Sequence, residues 1–377
     1  MGKQILVIAN LPDSLVRFRL PLLVKMRAGG HTVHCAAPAL SERADVVATL
    51  RGQGIETHDV PLARTGTNPI ADARTFGSLL RLCGRLRPDH VLAYTVKPVV
   101  YGTLAASLCG VPHRTVLMTG LGYAFTGEAH GRRGLVQRLL RGLLRRALAK
   151  ATAILFQNRD DAALLGSMNL LPAGVPVTIV DGSGVDLDQY PPQPLPPGPP
   201  VFLLVARLLS AKGIREYAAA AALLKREHPD ARFVLIGPHD SNPDALADAE
   251  IAAFEACGAI EWLGPVEDVR PHLAACHVYV LPSYREGTPR STLEAMATGR
   301  AVVTTDAPGC RETVVEGVNG HLVPVGDAAA LADAMRRLID DPAQVASMGE
   351  QSLRIARERY DVHRVNAAMV AAMGLAA

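Results

Sequence analysis

Short apolar runs alternate with longer amphipathic stretches along most of the chain. Each apolar run in the first half is bounded by polar residues, a pattern typical of strands that are buried on both faces. These runs span residues 4–9, 31–37, 55–60, 90–94 and 114–118. Between them the apolar residues follow the helical period and the turns are short. Strands that alternate with helices in this way predict right-handed βαβ units and a parallel sheet.

The same pattern restarts after a proline-rich segment. Residues 191–200 read PPQPLPPGPP and predict a stiff, extended linker. The 377 residues are too many for one ordinary core and suit two domains. We therefore predict an α/β protein with doubly wound, Rossmann-like domains at 1–190 and 201–358, and a C-terminal helix (359–377) packing back toward the first. Ligands of such sheets bind at the carboxyl ends of strands, so a cleft between the domains is the expected site.

Composition narrows the class of protein only slightly. The formal net charge is +3, and hydrophobic residues make up 49% of the chain. The six cysteines are scattered beside apolar runs without a CxxC pair, which predicts buried free thiols and a reducing cytoplasm. No apolar run is long enough to span a membrane, and the first residues are typical of a strand rather than a signal peptide.

Residues 131–150 form a basic amphipathic stretch. One predicted helical stripe is apolar and comprises Leu135, Val136, Leu139, Leu140, Leu143, Leu144 and Leu148. A second stripe contains Arg138, Arg141 and Arg145, and no Asp or Glu occurs from 131 to 159. The stretch is either a core-packed helix with a solvated basic face or a contact for an anionic membrane surface, which we favour. Nucleic acid is a poorer interpretation because no aromatic residues are interleaved.

Residues 278–303 carry two carboxylates, Glu286 and Glu294, in a predicted strand, loop, helix and strand. A loop that enters a helix N-terminus presents backbone N–H groups and the positive end of the helix dipole, which suit a phosphate. Carboxylates cannot bind phosphate directly, but they accept hydrogen bonds from sugar hydroxyls. The stretch therefore predicts a nucleotide-sugar site.

Two cations, Arg207 and Lys212, follow the first predicted strand of the second domain. In that position they suit a diphosphate and would neutralise charge on a departing nucleoside diphosphate. The alternative is an ordinary surface pair. Asp186 and Asp188 imitate a metal-binding DxD motif, but their polar turn favours an Asx turn, so no metal site is predicted.

The first domain offers weaker candidates at the ends of its strands. Residues 10–17 are predicted to form a polar loop before a helix that begins near Phe18. Contacts with an acceptor or a pyrophosphate are predicted for Asn10, Ser14, Arg17 and Lys97. Solvated surface charge is the alternative interpretation for Arg17 and Lys97.

These motifs together resemble those of the family 4 glycosyltransferases. EGTPRSTLE (286–294) is similar to their E-x7-E motif, flanked by LPSYREG before and LEAMATGRAVVTTDAPGCRETV after, and VARLLSAKGI (205–214) is similar to their Arg-x4-Lys-Gly segment. The resemblance implies the two-domain GT-B fold, and sugar transfer from a nucleotide donor with retention and without a required metal.

The resemblance also implies roles for single residues. Arg207 and Lys212 would hold the donor diphosphate, and Glu286 would hydrogen-bond the sugar hydroxyls. Glu294 would bind the ribose. The remaining donor contacts implied are Gly287, Thr288 and Pro289 against sugar and phosphate, and the backbone of Val266 against the base.

Four further segments resemble the subgroup that extends sugars on undecaprenyl diphosphate. They are SLVRFRLPLL (14–23), VLMTGLGYAF (116–125), GSGVDLDQY (182–190) and IGPHDSNPDA (236–245). The resemblance implies a hexosyltransferase that moves an N-acetylhexosamine, with N-acetylgalactosamine favoured, from UDP to a polyprenyl-diphosphate-linked saccharide at the inner face of the plasma membrane. The alternatives are another GT-B enzyme, such as a UDP-sugar 2-epimerase or a transferase with a soluble acceptor, and a non-catalytic binder of nucleotide sugars.

Overall fold

The structure is a computed structural model that describes residues 2–63, 68–121, 131–240, 242 and 244–375. The side chains of residues 131–133, 135 and 136 are also outside the described set. The predictions for Leu135, Val136 and residues 122–125 therefore lie outside the described part of the chain. The chain divides into two compact units. Unit 1 comprises Met1–Ser183 and His363–Ala377, and unit 2 comprises Gly184–Val362.

A parallel sheet forms the centre of unit 1. Its strands are β1 Gln4–Ile8, β2 Thr32–Ala37, β3 Glu56–Asp59, β4 His90–Tyr94, β5 His113–Met118, β6 Ala153–Phe156 and β7 Val177–Ile179. In the described part of unit 1 the order is β3-β2-β1-β4-β5-β6-β7, and all neighbouring strands are parallel. The chain thus reverses its direction of winding between β1 and β4, which confirms the predicted doubly wound class.

Helices cover both faces of this sheet. They are α1 Pro12–Arg17, α2 Leu20–Ala28, α3 Ala44–Gly52, α4 Pro69–Leu86, α5 Val96–Leu108, α6 Gly131–Leu148 and α7 Arg159–Ser167. The predicted loop at 10–17 is wrong, because Pro12–Arg17 form helix α1. Pro12 lies in the first turn, where backbone N–H groups make no intrahelical hydrogen bond and proline is therefore tolerated. The sequence prediction also omitted α7, which Asn158 caps by accepting from Asp161 N at 2.7 Å.

The second parallel sheet lies in unit 2. Its strands are β8 Val201–Val205, β9 Arg232–Ile236, β10 Glu261–Trp262, β11 Val278–Leu281, β12 Ala301–Thr305 and β13 Gly320–Val323. Their order within the described residues is β10-β9-β8-β11-β12-β13. The helices are α8 Ile214–Glu227, α9 Asp248–Ala256, α10 Arg270–Ala275, α11 Arg290–Ala297, α12 Ala328–Asp340 and α13 Pro342–Ile355. Both faces of the sheet are buried under apolar layers, which explains the continuous apolar runs.

The C-terminal helix, α14 Val362–Ala372, belongs almost entirely to unit 1. Its Val365 and Met369 side chains are buried in the same apolar cluster as Ile5 and Val7 of β1. The end of the chain therefore completes one face of the first sheet.

The proline-rich segment 191–200 lies within unit 2 and is held there by Arg300. The Arg300 side chain is fully buried and donates to the carbonyls of Pro194 (3.0 Å), Leu273 (2.8 Å) and Ala274 (3.2 Å). Leu273 and Ala274 are at the C-terminal end of α10, where the helix dipole favours a cation. Burial lowers the pKa of the Arg300 guanidinium.

Three side chains are more exposed than the sequence predicts. Leu139, assigned to the apolar stripe of α6, is 60% exposed. Arg141 of the charged stripe is half-buried. Two of the six free cysteines, Cys109 and Cys257, are exposed rather than buried, since each lies just past the end of a helix. No helix within the described ranges is both long and apolar enough to cross a membrane.

Candidate active site

The sheet of unit 2 creates a crevice where its winding reverses. The strand after β8 along the chain, β9, lies on one side of β8, and β11 lies on the other. The connections that leave the carboxyl ends of β8 and β11 diverge, and this divergence opens a ligand-sized space in doubly wound sheets. Arg207 and Lys212 follow β8, and Glu286 follows β11, so three predicted donor residues converge on this crevice.

The loops after β8 and β11 are joined through their backbones. The loop after β8 forms a short 3₁₀ turn at Ser210–Lys212, and the Ala211 carbonyl accepts from Tyr284 N at 2.9 Å and Ser283 Oγ at 3.0 Å. Gly213 follows in the left-handed conformation (φ 71°), where a Cβ atom would collide with the Pro282 carbonyl. Glycine is thus required there so that the two loops can pack closely.

Lys212 and Glu286 form an ion pair across the two loops. The side chains are 20% and 14% exposed, which places the pair in a partly desolvated position where electrostatic interactions are stronger than in water. The backbone of Glu286 is also fixed, because its N–H donates to Pro308 O at 2.9 Å. Gly309 (φ 79°) packs directly against the carbonyls of Glu286 and Gly287, which leaves no room for a larger residue.

Arg207 forms a separate ion pair with Asp240. The Arg207 side chain is 44% exposed, whereas that of Asp240 is only 8% exposed. Asp240 therefore fixes one end of a guanidinium whose other end faces solvent. The sequence prediction missed this partner, although Asp240 lies in the segment 236–245 that carries part of the family resemblance.

Glu294 is buried on α11 beside an arginine of the same helix. Arg290 Nε, one helical turn earlier, donates to Glu294 Oε1 at 2.8 Å. Tyr190 lies near this carboxylate, since burial followed by the charge of Glu294 raises the pKa of Tyr190. Tyr190 was missed as a site residue, although it ends the segment GSGVDLDQY. The start of α11 is fixed by Tyr279, which donates to Ser291 Oγ at 2.6 Å.

The other predicted donor residues lie at the same end of the sheet. Gly287 and Thr288 are half-buried in the loop after β11, and Pro289 is the buried N-cap residue of α11. Pro289 itself makes no capping hydrogen bond through its side chain. The N–H groups in the first turn of a helix point toward its N-terminal end, which here faces the loop. Val266 is half-buried in the loop after β10 and packs against the apolar cluster beneath α11.

The residues predicted in unit 1 lie near the equivalent reversal, between β1 and β4, but make different contacts. Ser14 is buried, and its hydroxyl donates to Leu11 O at 2.6 Å and lies 2.7 Å from the Tyr94 hydroxyl. Lys97, in the first turn of α5, donates to Asp72 Oδ1 at 3.1 Å. Arg17, at the end of α1, is exposed.

Two further residues complete the set in unit 1. Asn10 is half-buried directly after β1. Thr95, which the sequence prediction missed, precedes α5 with φ 67° and ψ 157°, a conformation that is costly for a β-branched residue. Its hydroxyl is buried and has no hydrogen-bond partner in the described part of the chain.

The aspartates that imitate a metal motif form the predicted Asx turn. Asp186 Oδ1 accepts from the backbone N–H groups of Asp188 (3.0 Å) and Gln189 (3.1 Å). The side chain of Asp186 therefore stabilises local backbone structure.

Comparison with known proteins identifies the two halves. Residues 16–182 match the model of the glycosyl transferase 4-like domain, and residues 199–341 match that of glycosyl transferases group 1. One relative is the N,N'-diacetylbacillosaminyl-diphospho-undecaprenol alpha-1,3-N-acetylgalactosaminyltransferase of Campylobacter jejuni, with 26% identity over 87% of each chain. Another is the UDP-Gal:alpha-D-GlcNAc-diphosphoundecaprenol alpha-1,3-galactosyltransferase of Escherichia coli, with 28% identity over 75% of this chain and 74% of that one.

The fold is also that of a solved glycosyltransferase from Rickettsia africae, with a TM-score of 0.78 over 99% of this chain and 98% of that one at 15% identity. The Anabaena protein HepE, solved in complex with UDP, superposes with a TM-score of 0.77 over 99% of this chain and 100% of its own, at 18% identity. Both units thus have the architecture expected from the sequence. The chain belongs to the GT-B glycosyltransferases, with a 4-like domain followed by a group 1 domain.

Proposed function

We propose that the protein transfers a sugar from a UDP donor to a saccharide linked to polyprenyl diphosphate, with retention of anomeric configuration. An N-acetylhexosamine is the proposed sugar, with N-acetylgalactosamine favoured. The Lys212–Glu286 pair at the winding reversal of unit 2 carries this proposal, because it sets a cation for phosphate beside an acceptor for sugar hydroxyls. The Campylobacter and Escherichia relatives, whose names specify undecaprenol-linked acceptors, support the acceptor class.

In this proposal the donor lies along the carboxyl ends of β8 and β11. Arg207 and Lys212 neutralise the diphosphate, and Lys212 moves from Glu286 toward the phosphates as the donor binds. Glu286 then accepts from the sugar hydroxyls, and Glu294 accepts from the ribose. The backbone near Gly287, Thr288, Pro289 and Val266 completes the contacts to sugar, phosphate and base.

The proposed chemistry depends on stabilising the leaving group. Negative charge grows on the UDP β-phosphate as the bond between the sugar and the phosphate breaks. Arg207 and Lys212, which donor binding has already brought to the phosphates, offset that charge. Two protein cations supply the role that a divalent ion has in other transferases, so we propose that the reaction requires no metal. The donor β-phosphate accepts the proton of the incoming hydroxyl.

The acceptor is assigned to unit 1. Asn10, Arg17 and Lys97 remain our proposed contacts for its saccharide or pyrophosphate. Ser14 is also a proposed contact. Its hydroxyl already bonds to the Leu11 carbonyl and lies against the Tyr94 hydroxyl, so we propose that Ser14 acts by positioning the loop at Leu11.

We further propose that helix α6 holds the enzyme at the inner face of the plasma membrane. Arg138 and Arg145 are exposed on α6, and the exposed Leu139 lies among them, which is the composition of an interfacial helix. Arg141 is half-buried and would contribute mainly through its long-range charge. Flotation with anionic vesicles should be lost in Arg138→Glu/Arg145→Glu, whereas equal flotation of this variant and the wild type would refute the role of α6.

The proposed reaction is tested by presenting radiolabelled UDP-sugars with short undecaprenyl-diphosphate-linked acceptors. We expect transfer of an N-acetylhexosamine only when the lipid-linked acceptor is present, an α-linked product by NMR from an α-configured donor, and full activity with a chelator. UDP-sugar turnover that needs no acceptor would indicate an epimerase or hydrolase instead. Binding of UDP without any turnover would indicate a non-catalytic binder.

A further inference from the structure

Three side chains that commonly ligate metals converge at the edge of the sheet in unit 1. His34 lies on β2, and Glu56 and His58 lie on β3, which is the edge strand. The strand register pairs His34 with Glu56 and Ala36 with His58. Since residues two apart on a strand point to the same side, all three side chains share one face. None of them belongs to the donor or acceptor residues described above.

The ligand atoms already have the spacing that a small tetrahedral ion requires. His34 Nδ1 lies 3.1 Å from His58 Nε2 and 3.3 Å from Glu56 Oε2. All three ligand atoms lie within 4.8 Å of one another. A zinc ion with bonds of about 2.0–2.1 Å holds its ligands about 3.3 Å apart in a tetrahedron. An ion therefore fits between these atoms with small side-chain adjustments.

We propose that His34, Glu56 and His58 bind one divalent transition-metal ion, of which Zn²⁺ is the best match, with the fourth position open to water. Two imidazoles and one carboxylate suit zinc, whereas Mg²⁺ and Ca²⁺ prefer oxygen ligands. The site is half-open to water, because His34 is buried and the Glu56 side chain is 64% exposed.

The surroundings favour a cation at this position. His34 Nε2 has no hydrogen-bond partner among the described residues, so the ring is held through Nδ1, the atom that faces the cluster. The charge of Arg85 opposes a cation near His58, whereas those of Glu56 and Asp59 favour it.

A bound ion would fasten the edge strand to the rest of the sheet. Strand β3 has four residues, and among the described strands it pairs with β2 alone. An ion that binds the folded state and not the unfolded chain stabilises the folded state. The proposed role of the ion is thus to stabilise the edge strand, and this role is independent of the transfer reaction proposed for the other residues.

The test uses the full-length, tag-free protein after removal of metals with a chelator. Zn²⁺ is titrated in competition with a chromophoric chelator, and thermal unfolding is followed with and without Zn²⁺. The wild type should take up one equivalent and unfold at a higher temperature with Zn²⁺. His58→Gln should bind at least ~100-fold more weakly, since even outer-shell partners of a metal ligand are worth up to that much.

Two further variants make the result decisive. Glu56→Gln changes a side chain that is largely exposed, so the substitution should leave the core intact. This variant should also lose the rise in unfolding temperature that Zn²⁺ causes in the wild type. His113→Gln is the matched control, because His113 and His90 form another imidazole pair, stacked at 4.2 Å, that is outside the cluster of metal-ligating side chains found among the described residues. His113→Gln should bind Zn²⁺ as the wild type does. Wild-type protein without a tight equivalent, or His58→Gln with undiminished binding, would overturn the proposal.

Discussion

Each unit places a lysine–carboxylate pair near the point where its sheet reverses direction, and the two pairs are almost equally buried. The side chains of Lys212 and Glu286 in unit 2 are 20% and 14% exposed, and those of Lys97 and Asp72 in unit 1 are 19% and 18% exposed. Burial and charge alone therefore do not separate a donor site from a structural ion pair.

The two pairs differ in what they connect. Lys212 and Glu286 join the loops after two neighbouring strands, so a ligand at the crevice meets both residues. Asp72 lies in the first turn of α4, so the Lys97–Asp72 pair joins two helices. Burial, followed by the nearby Asp72 carboxylate, raises the pKa of Tyr101. We infer that the pair in unit 2 opens for a ligand and that the pair in unit 1 mainly holds helices together.

The largest expected effect is that of Lys212→Ala on turnover. Loss of a fixed cation beside the leaving group should lower kcat by ~100- to 1,000-fold. Steady-state kinetics with the best UDP-sugar measures this change. Arg215→Ala is the control, because Arg215 lies three residues further along and pairs with Glu250 on α9. Unchanged kcat in Lys212→Ala would remove the diphosphate role.

Glu294→Gln should act on donor binding rather than on turnover. A hydrogen bond between the ribose and an ionised carboxylate is worth roughly 1.5–3 kcal/mol, so the donor KM should rise by about 10- to 100-fold. The kcat should stay within a few-fold of the wild-type value, because the ribose is remote from the reacting bond. A fall in kcat with constant KM would contradict this assignment.

Tyr190→Phe is the milder version of the same test. The variant keeps the ring and removes only the hydroxyl that lies near the Glu294 carboxylate. We expect this hydroxyl to position Glu294 for the ribose, and loss of one hydrogen bond of about 0.5–1.5 kcal/mol should raise the donor KM by up to ~10-fold. In the Glu294→Gln background the same change should have a much smaller effect, and additive effects would show that Tyr190 acts independently.

Lys97→Ala should have the smallest effect, and only on the acceptor. A partly exposed ion pair contributes about 0.2–1 kcal/mol, which corresponds to a change of at most ~5-fold in acceptor KM. Donor KM should not change. A large rise in donor KM would place Lys97 at the donor and erase the distinction between the two units.

The positions of the candidate site residues were easier to predict from the sequence in unit 2 than in unit 1, and the reasons are physical. Arg207, Lys212, Glu286 and Glu294 lie in local motifs that strand order alone brings to one crevice. Ser14 instead contacts Tyr94, 80 residues later, and only the tertiary structure reveals that contact.

Local signals were also overlooked or overridden by tertiary packing. Pro12 and Asn158 are helix-start residues that signalled α1 and α7. The exposure of Leu139 was not predictable from the helical period, because the neighbouring elements decide which part of an apolar stripe is covered.

Calorimetric titration with UDP tests most directly the claim that unit 2 alone holds the donor nucleotide. Wild type, Lys212→Ala and Lys97→Ala are compared, so that each variant loses one lysine from an ion pair of similar burial. Lys212→Ala should bind UDP at least ~10-fold more weakly, the value of one charge-assisted hydrogen bond, and Lys97→Ala should bind it as the wild type does. Weakened UDP binding in Lys97→Ala with full affinity in Lys212→Ala would contradict the assignment.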